Sequence, residues 1–394
     1  MNTGTERRRG FLAGFLLGAA GALAVAAALV YLLGPAENDK SVSEQARDTI
    51  ENSYFKAVPG QLLDNASANG MVRELRSRFG DRFSHYFSPT ALTRFDQATS
   101  GQFSGVGLTV SEVRPGLRVA AVLPHTPAER AGLAEGDLIT AVDGRSIAGT
   151  PSDVSTARIK GPPGTRVTLR VVPASTGKPR EITLRRANVR VPAVQGALRR
   201  AGGEKVAYVR FTHFTDGAHG ELRHTVDGLY QRGAQGLVLD LRGNGGGLLN
   251  EAVLSASLFL EKGQTIVSTD SRTLGHTEYD AVGDPLPAHP IVVLQNRDTA
   301  SAAEILTAAL ADHGLATVVG TRSYGKGTFQ EVIHLPGGGA LDLTVGEYLA
   351  ANGESLLGKG IEPDVHVRDD PAAPADDGLR RGLGVLGAEL QTGQ

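Results

Sequence analysis

Asn296-Arg-Asp-Thr-Ala-Ser-Ala-Ala-Glu-Ile305 joins the apolar run Pro290–Leu294 to a helical pattern over Ala302–Leu310. A strand, a tight turn and a helix start thus succeed one another directly. The same alternation surrounds them: Val206–Phe211 and Gly236–Asp240 are short apolar strands, and Leu222–Tyr230 and Leu248–Leu260 carry helical spacing. Strands alternating with helices argue an α/β layered domain, here over residues 187–369.

Three clusters in this domain can carry chemistry. Ser301 stands at the strand-to-helix turn. Taken alone it reads as a helix N-cap, but such a turn also exposes a nucleophile beside backbone donors. Ala302 could offer one N–H to a tetrahedral oxyanion. Asp240-Leu-Arg-Gly-Asn-Gly-Gly-Gly247 lies between a strand and a helix, where glycines turn N–H groups towards a ligand. It suits an oxyanion hole or, more loosely, a dinucleotide phosphate, although Arg242 and Asn244 interrupt the G-x-G-x-x-G spacing. Ser323-Tyr-Gly-Lys-Gly-Thr-Phe-Gln330 sets Lys326 between two glycines. Alone it is a solvated turn residue. Read with Ser301 it is a candidate base, provided that burial lowers its affinity for a proton. Gln330 could orient the amine. His213, His219 and His224 cluster in sequence, but none lies in a glycine-framed loop, and no H-E-x-x-H metal motif is present. No metal and no cofactor is expected.

Upstream, short strand-like segments bounded by turns begin near Gly105, and Ala131-Gly-Leu-Ala-Glu-Gly-Asp-Leu-Ile-Thr-Ala-Val-Asp-Gly144 is the most specific of them. Residues 101–186 resemble a PDZ domain. The resemblance implies that Gly105, Val106, Gly107 and Leu108 form a loop whose N–H groups hold a peptide's terminal carboxylate, while the peptide adds to a strand edge.

Residues 35–100 read as a helical segment, with Ile50, Tyr54 and Ala57 and then Met71, Leu75 and Phe79 at helical spacing. A packing or dimerisation module, compatible with a homodimer, fits it. Arg7, Arg8 and Arg9 precede an uncharged run from Phe11 to Leu33, long enough for a membrane span of about 20 residues. Within 1–34 the arginines would stay cytoplasmic and everything beyond would be extracytoplasmic. A cleaved signal peptide is the alternative, and both predict export. The chain has 394 residues, a formal net charge of -2 and no cysteine. Several domains are expected, nucleic acid is an improbable partner, and thiol catalysis is excluded. Residues 370–394 read as a C-terminal tail, loosely ordered or a short helix.

In this order the clusters make the chain resemble the C-terminal processing peptidases, PDZ-bearing serine proteases with a Ser-Lys dyad. Thr299-Ala-Ser-Ala-Ala-Glu-Ile305, Tyr324-Gly-Lys-Gly-Thr-Phe-Gln330 and Gly360-Ile-Glu-Pro-Asp364 carry the resemblance, with the lysine 25 positions after the serine. It implies Ser301 as nucleophile, Lys326 as base, Gln330 in support, and an oxyanion hole from Gly246 or Gly247 with Ala302. It implies a multidomain α/β (α+β) fold: a membrane helix and helical segment, a β-rich PDZ domain, and a ClpP/crotonase-like core. It also implies protein substrates with free C-termini, and Lys160, after the PDZ helix, as a regulatory position where arginine is common. The rival reading, a silent PDZ scaffold, should have lost the serine or the lysine, and neither is lost.

Overall fold

The computed structural model describes residues 40–368 and 376–392. The anticipated span Phe11–Leu33 lies outside the described residues. Among those described, no helix is long and apolar enough to cross a membrane. The chain divides into two compact units at Arg78/Phe79.

In the first unit, α1 (Val42–Ser53) begins with a reciprocal cap. Ser41 Oγ accepts from Glu44 N–H, and Ser41 N–H donates to Glu44 Oε2 at 2.7 Å. Arg47 pairs with Glu51 and with Asp64 of α2 (Gly60–Phe79). Neither helix has a buried residue.

The second unit opens with β1 (His85–Phe87), which breaks the all-helical pattern read up to residue 100. It survives as a strand by pairing with distant β18 (Ala340–Ala350), a partner that local periodicity cannot reveal. After α3 (Pro89–Thr99), β2 (Gln102–Gly105) pairs with β9 (Ala187–Arg190), so the chain enters and leaves the next module through one ribbon. That module contains β3 (Leu108–Val113), β4 (Gly116–Val122), α4 (Pro127–Arg130), β5 (Leu138–Val142), β6 (Arg145–Ser146), α5 (Ser152–Ile159), β7 (Arg166–Val172) and β8 (Arg180–Arg185). Its sheet runs β3-β4-β5-β7-β8, with β6 on β5, which leaves β3 as an edge. Leu117, Ile139, Ile147 and Leu169 are fully buried in its own core. Buried Arg186 donates to the carbonyls of Arg158 and Ile159, a cation closing the C-terminal end of α5.

The larger domain is a layered α/β structure. β10 (Val194–Ala201) pairs antiparallel with β11 (Glu204–Phe211), followed in parallel by β12 (Leu237–Asp240), β15 (Ile291–Gln295), β16 (Ala316–Gly320) and β19 (Val365–His366). Both faces are buried, as parallel sheets require. Leu237 and Leu239 face a core shared with α6 (Ala218–Gln231), α7 (Leu249–Ala256) and α8 (Ala302–Asp312), while Val238 and Val292 face the other way. A second sheet is built from β13 (Thr265–Ser271), β14 (Gly275–Asp280), β17 (Thr328–His334) and β18 (Ala340–Ala350), with β1 on β18. Tyr348 and Ala350 of β18 extend the same core. Every residue of α8 from Ala302 to Leu310 is buried, and its alanines let neighbours approach on all sides.

The segment read as a tail contains α9 (Asp377–Thr392), which packs Leu379, Leu383 and Leu386 on the face of Val238 and Val292. Gly382 allows the approach, since a Cβ there would stand 2.7 Å from Leu294 Cδ2. Of the two readings of this segment, loosely ordered or a short helix, the structure shows a helix, although glycine is a poor helix former in isolation.

Candidate active site

Ser301 follows β15 and precedes α8. Its turn is tied to the glycine loop from both sides: Thr299 Oγ1 donates to Leu241 O at 2.9 Å, and Gly243 N–H donates to Asn296 Oδ1 at 2.9 Å. Ser301 has φ 57° and ψ −120°, a strained backbone for a residue with a Cβ, and is 5% exposed. Such strain persists only where the surroundings over-determine it.

Glu304 supplies that constraint. It is 0% exposed. Its Oε2 accepts from Ser301 N–H at 2.8 Å and from Lys326 N–H at 2.9 Å. Its Oε1 accepts from Ser323 Oγ at 2.5 Å and from Gly325 N–H at 2.7 Å. One carboxylate therefore joins the serine turn to the lysine loop through four hydrogen bonds. The sequence reading included Glu304 only as a letter in a motif. Its position three residues after a helix-capping serine was the available signal.

The lysine loop is held from behind as well. Ser323 Oγ accepts from Ile361 N–H at 2.7 Å, which gives the Gly360–Asp364 segment its structural part. A Cβ on Gly327 would stand 2.1 Å from Leu357 N, so glycine is required there for close backbone approach. The Lys326 ammonium lies 5.0 Å from the Phe83 ring centre, a cation–π contact. Burial holds Lys326 below the ordinary lysine range, against the opposing charges of Asp342 and Glu304.

The side chains of the two expected partners are not hydrogen-bonded to each other among the described residues. Ser301 instead interacts with the hydroxyl of buried Tyr348, whose phenol burial pushes well up. Gln330 donates to Thr328 Oγ1 at 3.3 Å and Thr344 Oγ1 at 3.2 Å, and none of its bonds among the described residues reaches Lys326. A bulge in the β17–β18 pairing falls at Phe329/Gln330 and sets that direction.

The glycine loop presses directly on Ser301. A Cβ on Gly246 would lie 2.9 Å from Ser301 Cβ and 3.0 Å from Ala302 N, and Gly246 has φ 98°. Gly246 N–H donates to Asn244 Oδ1 at 2.9 Å. The N–H groups of Gly247 and Ala302 have no acceptor among the described residues. Buried Asp240 accepts from Tyr208 Oη and Arg242, and Arg242 also pairs with Asp376 at the start of α9. The loop is thus braced from the outer helix inwards.

In the PDZ module, Gly105 belongs to β2, while Val106 and Gly107 form the loop before β3. Their N–H groups have no acceptor among the described residues, whereas their carbonyls accept from Ala128 and Leu123. Gly107 has φ 87° and its Cα lies against Thr126, where a Cβ would stand 2.3 Å from Thr126 Cβ. Successive free donors beside the edge strand β3 are an anion-binding arrangement. Lys160 caps α5 and places its ammonium 5.5 Å from the Phe103 ring centre.

A strained serine under a buried helix start, a glycine loop against it, and a PDZ domain in the same chain define a peptidase of the serine type. The PDZ profile matches residues 118–173 and that of peptidase family S41 matches residues 205–367. A carboxy-terminal-processing protease of Bartonella bacilliformis is 35% identical over 81% of this chain and 73% of its own length. A probable CtpA-like serine protease of Staphylococcus haemolyticus is 32% identical over 82% of this chain, which spans 64% of that relative. The solved photosystem II D1 C-terminal processing protease superposes with a TM-score of 0.51 at 29% identity, covering 87% of this chain and 90% of the other. The chain belongs to peptidase family S41, the family of the carboxyl-terminal-processing proteases.

Proposed function

We propose that the chain is an endopeptidase that cleaves exported proteins recognised by their free C-termini, anchored to the membrane through Phe11–Leu33 with its catalytic part outside the cytoplasm. A substrate tail adds to edge strand β3, with its carboxylate on the N–H groups of Val106 and Gly107. Ser301 Oγ attacks the scissile carbonyl carbon and its proton passes to neutral Lys326 Nζ. The oxyanion is met by the N–H groups of Gly247 and Ala302, with Gly246 supplying the close approach. The C–N bond then breaks, and Lys326 gives the proton to the departing amine. Water attacks the acyl ester, Lys326 takes its proton and returns it to Ser301, and the new carboxylate leaves. For this the Ser301 hydroxyl must turn from Tyr348 towards Lys326.

The observation that carries the reading is the shared Glu304 Oε2, which accepts from the backbones of both Ser301 and Lys326. Lysine held below its ordinary range by burial is the second support, because only a neutral amine can take the serine proton. The test is incubation of a disordered protein with wild type, Ser301→Ala and Lys326→Ala, with products mapped by mass spectrometry. Each variant should fold and lose cleavage. Full activity in either sinks the dyad.

A further inference from the structure

We propose that the cavity where the PDZ domain meets the protease core binds a small amphiphilic anion, a carboxylate or phosphate head on a short apolar body. The cavity has a volume of about 460 Å³, within the range of roughly 300–1,000 Å³ usual for small-molecule sites. Arg94, Lys160 and His213 line it, and no acidic side chain does. Among the described residues no carboxylate pairs with any of the three. Two positive side chains, Arg94 and Lys160, converging without a counter-charge beside an imidazole that can donate a hydrogen bond favour an anionic occupant. The Lys160 ammonium lies over the face of Phe103 and has no ion pair among the described residues, so an anion would add an opposite charge.

Phe103, Val191 and Pro192 form an apolar stretch of the wall, beside the neutral polar side chains of Gln97, Gln102 and two threonines. Val191 keeps 46% of its surface exposed, so an alkyl or leucyl body has apolar area left to cover. The site is distinct from the carboxylate loop before β3, since neither Val106 nor Gly107 lines it, and Ser301 does not line it either. Its walls come from α3, β2, the end of α5 and the segment after β11 that contains Phe214. The backbone of Phe214 bonds Gly246 O and Leu248 N–H of the glycine loop. An occupant would therefore touch the end of the PDZ helix and the strut of the loop at Ser301 together.

The chain contains no tryptophan, so Val191→Trp gives the full-length protein, held in a zwitterionic lipid nanodisc, a single reporter on the rim. Hexanoate and hexyl phosphate should change its fluorescence saturably, and hexanol and hexylamine should bind at least about tenfold more weakly. Arg94→Gln with Lys160→Gln in the same background should weaken hexanoate by a similar factor while leaving the unfolding curve in place. A leucine-alanine tripeptide as free acid and as amide separates the sources: preference for the free acid assigns a peptide terminus, and binding of hexanoate alone assigns an acyl anion. Hexanol binding as tightly as hexanoate, or unchanged affinity in the double variant, overturns the proposal. Because the readout is binding, it stands or falls apart from the Ser-Lys chemistry.

Discussion

Glu304→Gln keeps the size of the side chain and removes one acceptor oxygen and the charge. Its cost is set by the four donors around the carboxylate. An amide nitrogen in the Oε2 position would face the N–H groups of Ser301 and Lys326, neither of which can accept. In the Oε1 position it faces Gly325 N–H and Ser323 Oγ, and only the hydroxyl can reverse its role. Even there the hydroxyl also receives Ile361 N–H and would need a new acceptor for its own proton. The better orientation thus loses at least the Gly325 bond and turns two charge-assisted bonds into neutral ones. A hydrogen bond to a charged group contributes about 1.5–3 kcal/mol, so a loss of about 2–4 kcal/mol in stability is expected. The lysine loop should loosen relative to the serine turn. The assays are denaturant unfolding followed by two fluorescence probes and peptide hydrolysis at saturating substrate. A fall in kcat of at least about tenfold, from about 1.4 kcal/mol of lost positioning, should accompany the destabilisation. Glu304→Gln with wild-type stability and kcat would refute the reasoning.

Activity should rise with pH as Lys326 loses its proton, with a midpoint below the ordinary lysine value because burial disfavours the ammonium. Asp342 is the largest charge opposing that shift, so Asp342→Asn should move the rising limb of kcat/KM to lower pH; an unmoved limb counts against the lysine as base. By linkage, Lys326→Met removes a burial penalty that is full below the depressed folded value and fades as pH climbs towards the ordinary one, visible as a stability gain that shrinks in alkaline denaturation series. Gly246→Ala places a Cβ against Ser301 and Ala302 at positive φ, costing about 1–3 kcal/mol, and should reduce acylation by a serine-directed phosphonate; equal acylation would show that the loop gives way freely. Asp376→Ala frees one side of Arg242 and should lower thermal stability modestly, a change scanning calorimetry would detect.

Legibility in the sequence depended on which contacts are local. The strand-turn-helix at Ser301 was readable because β15, the turn and α8 are consecutive and both faces of the sheet are apolar. The PDZ module was readable for the same reason. β1 was not, because His85–Phe87 is a strand only by virtue of β18, more than two hundred residues later. α9 was legible only as one of two alternatives, because its glycines look like helix breakers until Leu294 is seen behind Gly382. In the site, the motifs named the serine, the lysine and the glycine loop, yet not the residues that join them. Glu304 contacts the lysine loop across 22 positions and Tyr348 meets Ser301 from another sheet, and spacing rules do not reach that far. Gln330 is named by the lysine motif and by its place four residues after Lys326, while its hydrogen bonds among the described residues go to Thr328 and Thr344.

The lysine loop is closed by Ile361, three residues ahead of Asp364, whose carboxylate holds Val318 N–H on β16. On a ribosome that closure comes late: Ser301, Glu304 and Lys326 are all synthesised before the segment that fixes Ser323, and Asp376, which pairs with Arg242, follows later still. A nascent or prematurely stopped chain would carry Ser301, Glu304 and Lys326 and lack the bond from Ile361 that holds Ser323. The Ser301 turn and the lysine loop would thus reach their described setting only after the segment around Ile361 has been made.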